Sequence, residues 1–155
     1  MGQFSNLEIN FYCKIPNKKY LFKKNQKKLY QLLKEVTKEL NLKDKFVVSL
    51  NLLESEEIKD LNKKYRNLNK TTDVLSFPQN ESFDNIYDLG DIFINGELLL
   101  EQAKSINSDQ DTEFCFLFMH GLLHLIGYDH LNIEDEKKMI NRQKELFKKL
   151  KIRND

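Results

Sequence analysis

Residues 113–130 read EFCFLFMHGLLHLIGYDH and contain all three histidines of the chain. The apolar run before Gly127 indicates a buried helix, and the polar SDQD at 108–111 indicates where that helix begins. A glycine at a helix end adopts the left-handed conformation at low cost. Gly127 is therefore expected to end the helix and to turn the chain back toward it.

The spacing of the histidines predicts a metal site. His120 and His124 are four residues apart, and four helical steps of about 100° place both side chains on one face. His130 would point about 240° away in a continued helix, so it joins them only if the chain turns at Gly127. The alternative is that these are ordinary core or surface histidines, which a single HxxxH pair would favour. Because every histidine takes part, we expect one bound Zn²⁺.

Three imidazoles with an open fourth position are typical of catalytic zinc, which lowers the pKa of its water to about 7. The same spacing occurs in metzincin peptidases, HExxHxxGxxH. Their glutamate base corresponds here to Gly121, which excludes a peptidase that works through that glutamate. The sequence leaves two roles open for the Asp129 carboxylate: it either orients a ligand imidazole or caps the next helix.

Hydrophobic patterning extends the prediction outward from this stretch. Strands are expected at 6–12, 46–53 and 89–95, with a short strand in TTDVLSFP that Pro78 ends before a polar loop at 79–87. Helices are expected at 23–40, after an N-cap at Ser55, at 96–106, and from an N-cap at Asn132 to about 150, with Ile133, Met139, Ile140, Leu146 and Leu150 roughly on one side. This order favours an α+β fold with a single mixed β-sheet of about four strands, packed with about five helices that include a zincin-like metal helix. We expect one domain over 1–155.

Composition excludes several classes of protein. Lys+Arg 25 against Asp+Glu 24 gives a formal charge of +1, so any RNA-binding surface must be local. Cys13 and Cys115 form no CxxC pair, which excludes a disulfide framework and a cysteine zinc site. No apolar run is long enough to span a bilayer, and the N-terminus lacks the features of a signal peptide or a myristoylation site. We therefore expect a cytoplasmic protein with no membrane partner.

Three blocks of the sequence resemble one known family. HGLLHLIGYDH resembles the signature of the YbeY family of endoribonucleases, which are also described as rRNA maturation factors. LNKKYRNLNKTTDVLSFP at 61–78 resembles the family's LN-x₂-YR and TDVLSFP blocks, and LGDIFI at 89–94 resembles its LGDI strand. Thr71 and Asn95 stand where the family often has Pro and Ser, and neither is a proposed ligand.

The resemblance implies a single α+β domain in which His120, His124 and His130 hold one zinc ion. It implies a single-strand-specific endoribonuclease that acts on ribosomal RNA precursors at the small-subunit 3′ end and in ribosome quality control. The expected partners are single-stranded RNA and the ribosome or its small subunit. Three points stay open: the oligomeric state, the nucleophile (zinc hydroxide or the RNA 2′-OH), and two other functions, a metallohydrolase such as a peptidase and a non-enzymatic ribosome-associated factor.

The family's important arginine falls on Arg66, which we expect to be catalytic. A guanidinium can hold the phosphoryl oxygens on which charge develops during cleavage. The residues alone leave a solvated helix-end cation equally open for this position. Two roles are likewise open for Asp73: its carboxylate either lies beside the substrate or stabilises a turn at the start of a strand.

The weaker signals in the sequence have a purely structural interpretation, which we prefer to a functional one. Residues 14–28 contain seven lysines and no acid, interleaved with Tyr20 and Phe22. They are either a track for an RNA backbone or the solvated face of a helix, and the lysine-rich composition favours the second. The aromatic run at 114–118 is expected in the core, with Cys115 as a buried thiol.

Overall fold

The computed structural model describes residues 4–152. Its strands and helices are β1 (Leu7–Cys13), α1 (Tyr20–Thr37), β2 (Lys45–Leu53), α2 (Ser55–Arg66), β3 (Val74–Phe83), β4 (Ile86–Asn95), α3 (Leu99–Ser105), α4 (Gln110–Leu125) and α5 (Ile133–Lys149). Short 3₁₀ turns occupy Pro16–Lys18 and Lys38–Leu40. The first three residues, where a myristoylation motif would begin, lie outside the described range. Within that range no helix combines the length and apolar character needed to cross a membrane.

The four strands form one mixed sheet in the order β1-β2-β4-β3. Strands β1, β2 and β4 run parallel, and β3 pairs antiparallel with β4 at one edge. Parallel neighbours need a crossover, and α1 and α2 lie within the connections that supply it. The predicted α+β fold with one mixed sheet and five α-helices is confirmed.

The prediction that Pro78 ends its strand was wrong, as was the loop at 79–87. Strand β3 continues to Phe83 and returns through a tight turn at Asp84 and Asn85, whose φ angles are 52° and 63°. An edge strand tolerates proline because the missing N–H group faces away from the sheet. Two positive φ values are typical of a two-residue hairpin turn, and the polar composition of this segment hid the hairpin.

A register shift after Pro78 lets the hairpin contact the end of α4. Asn80 lies inside the shift with φ 49°, and its Nδ2 donates a hydrogen bond of 2.8 Å to the carbonyl of Leu125 at the end of α4. The shift also brings Gly90 against the opposite strand, where an added Cβ would lie 2.2 Å from the carbonyl oxygen of Phe77. The hairpin therefore supports the end of the helix that carries the histidines.

Helix α4 lies directly on the sheet. Phe114 and Phe118 are fully buried, as the sequence predicted, and each contributes about 1.5–3 kcal/mol of apolar burial. An added Cβ at Gly121 would lie 2.9 Å from Cγ2 of Ile92, so the missing side chain allows the close approach of helix and strand. Helix α2 covers the other face, where Ile58 packs in a smaller cluster beside Leu75.

The helix caps agree with the sequence in part. The side chains of Asp109 and Asn132 accept hydrogen bonds from backbone N–H groups at the starts of α4 and α5. Ser55 was the wrong N-cap for α2: Glu54 takes that position, and its N–H donates to the carboxylate of Glu57 at 3.2 Å. Glu54 and Glu57 thus form a reciprocal capping box in which both residues are glutamates. Serine is usually preferred at the N-cap, and this preference led to the wrong prediction of Ser55.

The predicted apolar side of α5 is only partly buried. Met139 and Leu146 lie in the core, whereas Ile133 and Ile140 are 72% and 39% exposed. The other predicted helices and strands are present, with ends moved by a few residues.

Candidate metal centre

The end of α4 determines where the third histidine lies. Gly127 has φ +109°, its N–H donates to the carbonyl of His124, and the N–H of Tyr128 donates to the carbonyl of Leu123. This is the hydrogen-bond pattern of a helix that ends in a left-handed residue. An added Cβ at Gly127 meets no atom within 4 Å, so the position requires a backbone conformation rather than space.

The turn brings the three imidazole rings together. The ring centroids are 4.6 Å apart for His120 and His124, 5.2 Å for His124 and His130, and 6.3 Å for His120 and His130. The Nε2 atoms of His120 and His124 are 3.1 Å apart. Nitrogen ligands at 2.0–2.1 Å from one tetrahedral zinc ion are about 3.3 Å from each other. The first two rings therefore have the spacing of neighbouring ligands.

The three rings are close together but do not form a ligand set as they stand. Within residues 4–152, no group of three or more His, Cys, Asp or Glu side chains has an arrangement that could hold a metal ion. The Nε2 atoms of His120 and His124 lie within hydrogen-bond distance of each other, and a cation held by both would require both nitrogens to be without a proton. The donor set of neutral imidazoles suits zinc, so the residues present fit the expected ion.

Gln143 on α5 determines which nitrogen of His120 is available. Its Oε1 lies 2.8 Å from Nδ1 of His120, and an amide oxygen can only accept, so Nδ1 carries the proton. The lone pair of the neutral ring is then on Nε2, which faces His124. No spacing rule in the sequence marked Gln143, because it lies on another helix 23 residues away.

Burial keeps the helix histidines neutral. Burial lowers the pKa of His120, and it lowers the pKa of His124 to about 4, together with the charges of His120 and His130. The ring of Phe116 stacks beside His120 at 5.9 Å and supplies part of the apolar surroundings. Neutral imidazole is the form that binds a metal ion.

The carboxylates near the cluster hold backbone and loop groups. Oδ1 of Asp129 accepts a hydrogen bond of 2.8 Å from the N–H of His130, so Asp129 fixes the loop, and Asn132 caps the next helix. Asp73 accepts from the hydroxyl of Thr72 at 3.3 Å and lines the same groove as the histidines.

A groove of about 500 Å³ connects Arg66 with the three histidines. Arg66 lies at the C-terminal end of α2, where its Nη2 donates a hydrogen bond of 2.7 Å to the carbonyl of Ser76 on β3. Its guanidinium also lies 5.2 Å from the ring centroid of Phe77. The side chain thus reaches from one face of the sheet, over the edge strand, to the groove on the other face.

Ser76 joins the two halves of this groove. Its carbonyl accepts from Arg66, and its hydroxyl donates to the carbonyl of Gly121 on α4 at 3.4 Å. Because Gly121 packs on Ile92, position 121 faces the sheet and cannot present a glutamate to the groove. The groove therefore offers the Arg66 cation from α2 together with imidazoles from α4 and its following turn, without the general base of a metzincin.

The other sequence signals lie outside this groove. Phe22 is buried in the core, and the hydroxyl of Tyr20 accepts from Gln110 at 2.8 Å. Lys24 pairs with Asp111 at 2.8 Å, which agrees with the solvated-face interpretation of residues 14–28. Burial raises the pKa of the Cys115 thiol to about 12, so this cysteine is the inert buried thiol that was predicted.

Comparison with known proteins places the whole groove within one region of similarity. The family described as Endoribonuclease YbeY matches residues 12–151. The chain is 39% identical over 140 residues to Endoribonuclease YbeY of Mycoplasmopsis pulmonis, with 88% of this chain and 92% of the relative covered. It is 41% identical over 129 residues to Endoribonuclease YbeY of Limosilactobacillus reuteri, with 75% and 81% covered.

A solved structure has the same fold. The solution structure of TM1509 from Thermotoga maritima superposes with a TM-score of 0.60 at 29% identity, covering 92% of this chain and 88% of that one.

Proposed function

We infer the function of this chain from the fact that it belongs to the YbeY family of endoribonucleases. Membership makes it an endoribonuclease, a hydrolase of RNA phosphodiester bonds, and supports a role in ribosomal RNA processing. We propose that cleavage takes place in the groove of about 500 Å³ that contains both Arg66 and the histidines. The observation that carries this proposal is that one groove joins a guanidinium to three imidazole rings that lie close together.

We assign the metal to His120, His124 and His130, with zinc as the ion. Bound there, zinc supplies a Lewis acid for a phosphoryl oxygen and lowers the pKa of a water molecule. The support is the donor set: imidazole nitrogens, a turn at Gly127 that returns His130, and a hydrogen bond from His120 Nδ1 to Gln143 Oε1 that leaves the His120 lone pair directed inward.

Arg66 is the residue that we assign to the substrate. Its Nη2 is held by the Ser76 carbonyl at 2.7 Å, and the exposed guanidinium has further N–H groups that can donate to phosphate oxygens. The contact with Ser76 orients the guanidinium before substrate arrives, which reduces the entropy lost on binding. Charge that develops on the phosphate oxygens during cleavage is stabilised by these donors.

The finer features of the function follow as proposals from the family. We propose single-strand-specific cleavage of ribosomal RNA precursors at the small-subunit 3′ end, a part in ribosome quality control, and a cytoplasmic location with the ribosome or its small subunit as partner. A shared sheet and core over residues 4–152 support one catalytic domain for the chain. Because the net charge of the chain is only +1, electrostatic attraction to RNA must come from local cations such as Arg66 and Lys70 in the groove.

The decisive experiment compares His124→Ala with the parent protein. We expect the variant to lose zinc retention, measured by metal analysis, together with cleavage of unstructured RNA. Tyr12→Ala, on the opposite edge of the sheet, is the control and should retain both properties. If the metal-free variant cuts RNA as fast as the parent, the histidines have no part in catalysis.

The peptidase alternative is tested in the same assay. Unstructured peptide and unstructured RNA are incubated with the parent protein, each with and without a chelator. We expect chelator-sensitive cleavage of RNA alone, because Gly121 faces Ile92 and supplies no general base. Chelator-sensitive cleavage of peptide instead would contradict the assignment.

A further inference from the structure

An exposed aromatic ring lies immediately beside the groove. Tyr65 is the penultimate residue of α2 and is 59% exposed. Its ring packs against the ring of Phe77 on β3, with centroids 5.5 Å apart. Nζ of Lys64 lies 5.1 Å from the centroid of the Tyr65 ring. Neither the sequence motifs nor the mechanism above gives this ring a function.

The ring has a rigid support. Phe77 is half-buried and packs against Phe93 of β4 at 5.6 Å, so the edge strand and its neighbour hold it in place. Tyr65 extends this row of three rings outward from the sheet. Tyr65 is held by an edge contact with Phe77 and is still 59% exposed, so it presents apolar ring surface to solvent at little further cost in side-chain entropy, with Nζ of Lys64 over one of its faces.

The row of rings leads directly to the groove. The guanidinium of Arg66 lies 5.2 Å from the Phe77 centroid and lines the groove that contains the histidines. A phosphate bound to Arg66 is therefore followed, along the same RNA strand, by a nucleotide within reach of Tyr65. The ammonium of Lys64, which lies over the Tyr65 ring, and the guanidinium of Arg66 complement the charge of the phosphates of such a strand.

We propose that Tyr65, supported by Phe77, is a stacking subsite for one unpaired RNA base next to the phosphate that is cleaved. This inference rests on the proposed function and extends it. Bases of single-stranded RNA stack on exposed aromatic side chains, whereas a base inside a duplex is already stacked and paired. The subsite therefore gives a physical reason for preferring single-stranded RNA, and it is tolerant of base identity.

The test uses unstructured RNA that carries the fluorescent base 2-aminopurine at one position, moved stepwise along the strand. On mixing with the zinc-loaded protein, and before cleavage, fluorescence should be quenched at one position beside the scissile phosphate. In Tyr65→Ala this quenching should disappear and KM should rise about tenfold, with kcat within about twofold of the parent. Tyr65→Phe keeps the ring and should restore both properties.

Tyr12→Ala is the matched control, because Tyr12 is 54% exposed on β1 at the far edge of the sheet. It should show the parent's quenching and KM. If Tyr65→Ala behaves like Tyr12→Ala in both measurements, the subsite is refuted even though the protein cleaves RNA. If the parent cleaves no RNA, the proposed function fails, while the fluorescence of the bound strand still decides whether Tyr65 stacks a base.

Discussion

Gln143 shows how a single side chain outside every motif can define a site. Its amide oxygen receives the Nδ1 proton of His120 at 2.8 Å and so directs the lone pair of the ring inward. Partners of this kind orient a ligand ring and raise its basicity. Their loss weakens metal binding even when every ligand remains.

We therefore expect Gln143→Leu to weaken zinc affinity by about 10- to 100-fold, measured by competition with a chromophoric chelator. Gln143→Glu keeps an acceptor at the same place and should retain most of the affinity. Equal affinities for the parent and Gln143→Leu would show that the hydrogen bond does not prepare the ligand.

Gly121 is determined by packing rather than by chemistry. A side chain there enters the contact between α4 and Ile92, so Gly121→Glu buries a carboxylate without a partner in the sheet interface. We expect a loss of about 3 kcal/mol or more in the free energy of unfolding, measured by denaturant titration, with no gain of peptidase activity. Gly121→Ala should cost less, because better helix propensity offsets about 1 kcal/mol of the overpacking. A stable Gly121→Glu variant would contradict this packing argument.

At the scale of the elements, the turn after α4 links backbone conformation to metal binding. Gly127 has φ +109°, where a residue with a Cβ is strained. We expect Gly127→Ala to lower stability by about 1 kcal/mol or more and also to weaken zinc affinity, because relaxation of the strain moves His130.

Asp109→Ala provides the comparison for this turn. Loss of the N-cap at the other end of α4 costs a similar amount, about 1 kcal/mol, but leaves the histidine turn intact. Zinc affinity should therefore fall in Gly127→Ala and remain in Asp109→Ala. Parallel losses in both variants would mean that affinity simply follows overall stability.

Helices α1 and α5 are connected through the carboxylate of Glu35. Burial raises the pKa of Glu35, but hydrogen bonds from Lys149 at 2.7 Å and Lys38 at 3.0 Å outweigh it and lower the pKa from its usual value of 4.5. A lowered folded-state pKa stabilises the protein above the unfolded pKa, and this contribution is lost as the pH falls through the folded-state pKa.

Glu35→Gln should therefore lower the free energy of unfolding at pH 7. We expect a loss of only about 1 kcal/mol, because both lysine side chains are largely exposed and solvent weakens their ion pairs with Glu35. The difference between parent and variant should shrink below about pH 4.5, where Glu35 of the unfolded chain is protonated. Denaturant titrations across this pH range measure it. A difference that stays constant with pH would mean that the charge of Glu35 contributes nothing.

At the scale of the whole molecule, the metal lies beside a core that is complete without it. The main cluster of buried side chains joins β1, β2, β4, α1, α4 and α5, and the histidines lie at its border. We expect a chelator to abolish RNA cleavage while the far-ultraviolet circular dichroism and cooperative unfolding of the protein persist. Unfolding on removal of metal would instead indicate a structural zinc site and favour the non-enzymatic factor.

The sequence by itself determined the helix with its histidine pair, its end at Gly127, and the mixed sheet of four strands. These features depend on periodicity and on glycine's conformational freedom, which are local properties of the chain. The hairpin through Pro78 escaped prediction because an edge strand tolerates a proline that a central strand would not.

Only the tertiary structure decided what surrounds the histidines. Gln143 reaches His120 from α5, Asn80 reaches the end of α4 from the hairpin, and Arg66 crosses the edge strand to the groove. Each contact joins residues more than ten positions apart in the chain or on different elements, so no local pattern encodes it. It follows from how the helices pack on the sheet, and packing is a property of the whole fold.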